Sequence, residues 1–162
     1  MSPDERLMNY IRVRWGRLIE SETSGSIIRP AFLAALIANE SGGDPRKTRF
    51  EPRVFKVLQR DRPAWTVNRQ KQNSISWGLT QILGENYWGP PPDLAEPEIN
   101  LQCARLMLVR FSNHNMLDPG KDFDQLFRCW NTGGPRGKTY DPDYCKNGIA
   151  RIVIWNEQSL ST

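Results

Sequence analysis

The sequence predicts a mostly α fold of the α+β class, in which a bundle of helices surrounds one central helix and a small irregular or β segment lies in the middle. Three observations lead to this prediction. Apolar residues recur every three or four positions over most of the chain, which is typical of helices that bury one face. Proline opens and glycine ends several of these segments. Within residues 44–76, one short helical pattern is followed by a polar stretch with little periodicity, so any strands are expected in this segment.

Two helices are predicted in the first part of the chain. The first lies within residues 1–25 and covers about 3–22, because Pro3 suits a first turn. Its core-facing residues recur at helical spacing: Leu7, Tyr10, Ile11, Trp15 and Leu18. The second helix, PAFLAALIANES, begins at Pro30 and ends at the glycine pair 42–43.

Five further helices are predicted after this pair. A short one is expected around Val54–Gln59, and a second short one at 78–88 follows a tight turn. The break GPPPD precedes a long helix from Pro97 to about Asn113, and two more cover about Phe123–Trp130 and Asp143–Glu157. The core face of the helix from Pro97 is predicted to hold Ile99, Cys103, Leu106, Met107 and either Val109 or Arg110. The core face of the last helix is predicted to hold Ile149, Ile152 and Val153.

Length and composition indicate one globular domain spanning residues 1–162. The chain has 38% hydrophobic and 25% charged residues, which is ordinary for a globular protein. No apolar run approaches the length of a membrane-spanning helix. The first ten residues carry acids where a secretory signal has bases, so no signal peptide is expected.

The charged residues and the cysteines limit the classes of partner. The net charge is +4, but the basic residues alternate with acids and aromatics, as in RVFKVLQRDRPAW, so a solvated surface is favoured and no nucleic acid is predicted. Cys103, Cys129, Cys145 and the single histidine, His114, lack metal-ligand spacing, so neither a metal nor a cofactor is predicted. The cysteines are interpreted as buried small side chains, and a Cys129–Cys145 bridge stays open.

One carboxylate occupies an unusual position on the second helix. Leu33, Leu36, Ile37 and Glu40 follow at spacings of three and four, so they share one face. Burial and the negative end of the helix dipole both disfavour the charged carboxylate and raise its pKa. A carboxylic acid that stays protonated near neutral pH can serve as the general acid for a glycosidic oxygen. The alternative is a solvated glutamate at a helix end.

Several segments resemble, in order, the lytic transglycosylase, goose-type lysozyme and phage muramidase group of the lysozyme-like superfamily. ALIANESGGDP is similar to the segment around the catalytic glutamate, FEPRVF resembles a segment of the phage muramidases, and SWGLTQI resembles the Gly-Leu-Met-Gln signature, with Thr80 in the methionine position. PEINLQCARLML, CWNTGGP and TYDPDYCKNGIARI resemble later segments, with departures at Trp130 and Thr132. The resemblance covers about residues 30–155.

The resemblance implies roles for individual residues. Glu40 would be the general acid and later the general base. The substrate-binding residues would be Ser41, Ser76, Gly78, Leu79, Gln81, Asn131, Gly133, Tyr140 and Tyr144, with the glycine and leucine of the signature on the floor of the cleft. The residues themselves leave alternatives open, since Leu79 and the tyrosines suit a core and Asn131 suits a turn. Trp65, Trp77 and Trp88 are candidates for stacking on sugar rings.

The implied activity is cleavage of the β-1,4 bond between N-acetylmuramic acid and N-acetylglucosamine in peptidoglycan, with a lytic transglycosylase favoured. A hydrolytic muramidase is the alternative, and it needs a second carboxylate. Glu51 is the candidate, unless it is a structural anion paired with Arg49 or Arg53. A non-catalytic module that binds the cell wall is the third hypothesis. The predicted chain is a monomer, or part of a larger phage or secretion assembly that delivers it to the cell wall.

Overall fold

The computed structural model describes residues 1–161 and confirms the mostly α fold with a small sheet. The seven α-helices are α1 (Pro3–Thr23), α2 (Pro30–Glu40), α3 (Pro52–Asp61), α4 (Val67–Asn73), α5 (Pro97–His114), α6 (Phe123–Thr132) and α7 (Tyr144–Leu160). The three strands are β1 (Thr48–Phe50), β2 (Ile75–Trp77) and β3 (Ile82–Leu83). Two 3₁₀ turns, Gly84–Asn86 and Pro91–Ala95, lie between β3 and α5.

Helix α2 is the central helix of the bundle. It begins at Pro30, whose missing N–H is not needed in a first turn, and every residue from Ala31 to Ala38 is buried. Helices α1 and α7 pack against it. Because the stretch from Ala31 to Ala38 is covered on all sides, it is apolar throughout and not amphipathic, and only the last turn carries polar side chains.

Helix α1 is fixed at its start and near its middle. At its start, the Ser2 hydroxyl accepts a hydrogen bond from the Glu5 N–H, and the Glu5 carboxylate accepts one from the Ser2 N–H, which forms a capping box. Farther along, the indole N–H of Trp15 donates to the Gly43 carbonyl at 3.0 Å. This bond connects α1 to the chain directly after α2.

The sheet is antiparallel in the order β1-β2-β3, with Thr48 opposite Trp77 and Trp77 opposite Ile82. The prediction of a helix over 78–88 is wrong. A tight turn, in which Gly78 has a φ of +77° and Gln81 a φ of +54°, leads directly into β3. Left-handed residues at both ends of the turn return the chain alongside β2 and prevent a helix there.

The predicted core faces of α5 and α7 are partly wrong. Leu106 and Val153 are exposed, and Ile149 is 36% exposed. The buried face of α5 holds Asn100, Leu101, Cys103, Ala104, Leu108 and Ser112, and that of α7 holds Tyr144, Cys145, Gly148, Ile152 and Trp155. Small and polar residues supply part of both faces, so the apolar pattern alone did not locate them.

The cysteines are free and buried, as expected of small core side chains. Within residues 1–161, no group of three or more histidine, cysteine or acidic side chains is arranged to hold a metal ion. Within the same range, none of the helices combines the length and the apolar character needed to cross a bilayer.

Candidate active site

A cleft of about 490 Å³ lies between the end of α2, the sheet, the end of α6 and the start of α7. It brings together seven of the residues singled out in the sequence, although they are up to 104 positions apart. They are Glu40, Glu51, Ser76, Gln81, Asn131, Tyr140 and Tyr144. The bundle and the sheet therefore place the conspicuous polar residues of four separate segments around one space.

Glu40 is the last residue of α2 and is half-buried in this cleft. Loss of contact with water raises the pKa of its carboxyl group from 4.5 to about 7. The Tyr144 hydroxyl, which donates a hydrogen bond to Glu40 Oε1, and the positive charges of Lys47 and Arg49 oppose this rise. Near neutral pH, a substantial fraction of Glu40 is therefore protonated and able to give up a proton.

Tyr144 is held in place from the first turn of α7. It is buried, and its ring meets the Phe127 ring edge-on with 5.9 Å between the centroids. Burial, and then the neighbouring Glu40, raise the pKa of its hydroxyl. The phenol thus stays protonated and serves as a donor to Oε1. Among the described residues, Glu40 Oε2 has no hydrogen-bond partner, so this oxygen is open toward the cleft.

A chain of polar contacts fixes the start of α7 against α2. The side chain of Asn39 donates to the Tyr144 carbonyl at 3.0 Å and accepts a bond from Arg151 at 2.7 Å. Arg151 also pairs with Asp4 of α1 at 2.9 Å. Three helices therefore determine where the tyrosine stands relative to Glu40.

Gln81 is positioned by the turn between β2 and β3. Its side-chain N–H₂ donates to the carbonyls of Lys47 at 2.9 Å and Gly78 at 3.0 Å. Its left-handed backbone is uncommon for a residue with a side chain. No hydrogen bond to its Oε1 is formed within residues 1–161, so this oxygen can accept one from a ligand.

Four predicted binding residues do not line this cleft. Leu79 is fully buried in the core, and a Cβ at Gly78 would lie 2.3 Å from the Leu94 carbonyl oxygen. The Ser41 hydroxyl donates to the Leu79 carbonyl at 2.7 Å, and Gly133 borders a neighbouring depression. The glycine and leucine predicted for the cleft floor are instead needed for packing behind it.

Two further carboxylates belong to the cleft. Glu51 pairs with Arg49 at 2.8 Å, which is the structural pairing considered in the sequence. Asp141, which the sequence analysis did not single out, accepts a hydrogen bond from the Asp143 N–H at 2.9 Å. Glu51 is neutralised by its arginine, whereas Asp141 is exposed and caps the turn that leads into α7.

Other lining residues were also missed in the sequence. They are Asn39, Lys47, Arg49, Ile82, Leu83, Asn86, Met107 and Trp130. Asn39 could have been found from the sequence, because it precedes Glu40 in the last turn of α2. The cations had no such signal, because Lys47 and Arg49 lie in a short irregular stretch and strand. None of Trp65, Trp77 and Trp88 is among the lining residues.

Comparison of the chain with models of protein families, with curated proteins and with solved structures finds no match.

Proposed function

We propose that this chain is a lysozyme-like enzyme that cleaves the β-1,4 bond between N-acetylmuramic acid and N-acetylglucosamine in peptidoglycan, with Glu40 as the general acid. The observation that carries the proposal is the position of Glu40 at the end of a buried helix and inside an open cleft. Burial raises the pKa of Glu40 to about 7 in an open cleft, where one carboxyl oxygen is held by Tyr144 and the other faces free space. A module that only binds glycan gains nothing from such a group.

In the proposed reaction, Glu40 donates its proton to the glycosidic oxygen while the bond from that oxygen to the muramic acid C1 breaks. The resulting carboxylate then accepts the proton of the muramic acid's own 6-hydroxyl as this oxygen attacks C1, which yields a 1,6-anhydro product. One glutamate suffices for both steps. We favour this lytic transglycosylase reaction because Glu51, the expected second carboxylate, is occupied by Arg49.

Hydrolysis is the second candidate, and Asp141 is the observation that favours it. This exposed carboxylate lines the same cleft and has no ion pair among the described residues. In a hydrolase it would activate a water molecule or stabilise the positive charge at C1. Either reaction places the site of action at the bacterial cell wall, with glycan strands as the partner.

The test is to digest purified peptidoglycan with the wild type, Glu40→Gln and Glu157→Gln, and to identify the released fragments by mass. Glu157 is an exposed acid on α7 and is a matched control for the lost charge. Fragments one water lighter than the hydrolytic product identify a transglycosylase, and ordinary reducing ends identify a hydrolase. Activity must be lost in Glu40→Gln and kept in Glu157→Gln. Equal activity in all three proteins would refute the role of Glu40.

A further inference from the structure

The positive charge of the molecule is concentrated in one segment, residues 52–72, which we call the basic lobe. It comprises α3, the connection after it and all of α4 except its last residue, Asn73. The lobe contains six basic residues and one acid, a net charge of +5, whereas the whole chain carries +4. All other residues together are therefore slightly acidic. The six basic residues are Arg53, Lys56, Arg60, Arg62, Arg69 and Lys71, and all of them are exposed.

The lobe is a fixed structure. Helix α3 buries Leu58 and packs mainly against α4, and the side chain of Gln70 in α4 donates to the Arg62 carbonyl at 3.0 Å. The Phe55 ring lies 5.6 Å from the Phe50 ring of β1. These contacts join the lobe to the sheet, while most of its other side chains are exposed.

The outer face of α3 is cationic along its whole length. Arg53, Lys56 and Arg60 follow at spacings of three and four, so they lie in a row. Only Arg60 among these three has an acidic partner, Asp61, at 2.7 Å. Val57, which is 43% exposed, stands beside this row.

The connection between the helices adds apolar surface among the charges. Val67 at the start of α4 is 57% exposed. The guanidinium groups of Arg62 and Arg69 lie over the Trp65 ring, at 5.7 and 4.1 Å from its centroid. Because Arg69 covers the ring at close range, Trp65 is a poor platform for stacking on an unpaired base or a sugar.

From the charge of this lobe and its exposed valines, we infer that it docks on an anionic phospholipid surface. Clustered exposed cations attract a negatively charged bilayer, and small exposed apolar side chains between them suit the boundary of headgroups and acyl chains. A nucleic acid would use the charges but not the valines. Glu51, directly before α3, lines the cleft, so a docked lobe keeps the cleft close to the membrane surface. The inference is independent of the reaction proposed for Glu40.

The experiment compares co-sedimentation of the full chain with vesicles of phosphatidylcholine containing phosphatidylglycerol and with vesicles of phosphatidylcholine alone. The test variant is Arg53→Gln/Lys56→Gln/Lys71→Gln, three cations with no hydrogen bond or ion pair of their side chains among the described residues. The control is Arg17→Gln/Lys121→Gln/Lys146→Gln, which removes the same charge from exposed positions elsewhere. Circular dichroism and thermal melting establish that both variants are folded.

We expect the wild type to prefer the anionic vesicles and the preference to weaken with salt. Each removed cation should lower vesicle affinity about fivefold, so the lobe variant should lose on the order of 100-fold and the control much less. Equal binding to both vesicle types would overturn the inference, as would equal losses in the two variants. Tighter binding to duplex DNA than to anionic vesicles at the same salt concentration would assign the lobe to nucleic acid instead.

Discussion

The protonation state of Glu40 is expected to set the pH range in which the enzyme works. The pKa of its carboxyl group is raised to about 7 by burial, and the proposed reaction needs the protonated form. We therefore expect kcat/KM to be maintained on the acid side of this value and to fall about tenfold per pH unit above it. The initial rate of glycan release, measured from about pH 5 to about pH 9, checks this. An unchanged rate up to the alkaline end would contradict it.

Tyr144 is expected to tune that pKa. Its hydrogen bond stabilises the ionised form of Glu40 and lowers the pKa, so Tyr144→Phe should raise it and move the alkaline limb of the profile to higher pH. Tyr140→Phe is the control, because Tyr140 lines the same cleft, is 99% exposed and has no bond to Glu40. If Tyr144→Phe lowered the rate equally at every pH, the tyrosine would be structural only.

Single residues of the site could be predicted from the sequence where the spacing of their neighbours indicates their surroundings. Glu40 could be selected because a carboxylate that continues an apolar helical face must be partly withdrawn from water. Asp141 and Lys47 could not, because an acid or a base in a loop has no period, and only the packing of α7 and the sheet against α2 brings them to the cleft. Ser41 and Leu79 were assigned to the substrate by the family resemblance, whereas the fold uses the Ser41 hydroxyl as a donor to the Leu79 carbonyl and buries the Leu79 side chain in the core.

At the scale of elements, the turn between β2 and β3 depends on a single side chain of α5. Asn100 accepts hydrogen bonds from the Thr80 N–H at 3.0 Å and the Thr80 hydroxyl at 2.6 Å. Its amide N–H₂ donates to the carbonyls of Trp77 and Leu94, both at 2.9 Å. A buried amide with all of these partners fixes the turn that presents Gln81 to the cleft.

This arrangement leaves no space beside Gly78. We expect Gly78→Ala to lower the free energy of unfolding by on the order of 3 kcal/mol, because the new Cβ would meet the Leu94 carbonyl and Asn100 while the backbone stays left-handed. Gly134→Ala is the control, with open space around its Cβ, and should change it by less than about 0.5 kcal/mol. Urea denaturation measures both. Equal stability of the two variants would mean that the turn can relax.

Six of the seven α-helices were predictable from the sequence because proline, glycine and apolar spacing act locally, whereas the polar helix α4 has no such pattern and was not predicted. Helices α1 and α2 and the three later ones begin or end within a few residues of their predicted bounds. The segment 78–88 was not predictable in this way, since its strand depends on pairing with β2 and on Asn100, some twenty residues later. The predicted inner faces of α5 and α7 were partly wrong for a related reason. Asn100 and Gly148 are buried because neighbouring elements pack on them, and neither has an apolar side chain that would reveal this in the sequence.

For the whole molecule, the distribution of charge is the feature that could not be predicted from the sequence. Read along the chain, the bases of residues 52–72 alternate with acids and aromatics and resemble an ordinary solvated surface. In the fold, α3 packs against α4, so the same residues lie on two neighbouring helices directly after Glu51, which lines the cleft. Basic residues without a regular spacing in the sequence can therefore still lie close together in the fold.

The buried acid is also expected to cost the whole molecule stability. A carboxyl group whose pKa is raised on folding is best tolerated when protonated. Below about pH 4.5, Glu40 does not reduce the free energy of unfolding. This free energy falls as the pH rises from there to about 7, and it stays lowered by the full amount above that value. Glutamine has a similar shape, cannot ionise and can still accept the hydrogen bond of Tyr144.

Glu40→Gln should therefore have nearly wild-type stability at about pH 4 and exceed the wild type at about pH 8 by on the order of 2 kcal/mol, a figure reduced from the full pKa shift because Glu40 is half-buried. Urea denaturation of both proteins across this range measures the difference, with Glu157→Gln as a control that should show none. A pH-independent difference would place Glu40 in contact with bulk water and remove the physical basis for its role as the acid. A difference that grows between these values would mean that the fold maintains a destabilising group at the centre of its cleft, as catalysis by that group requires.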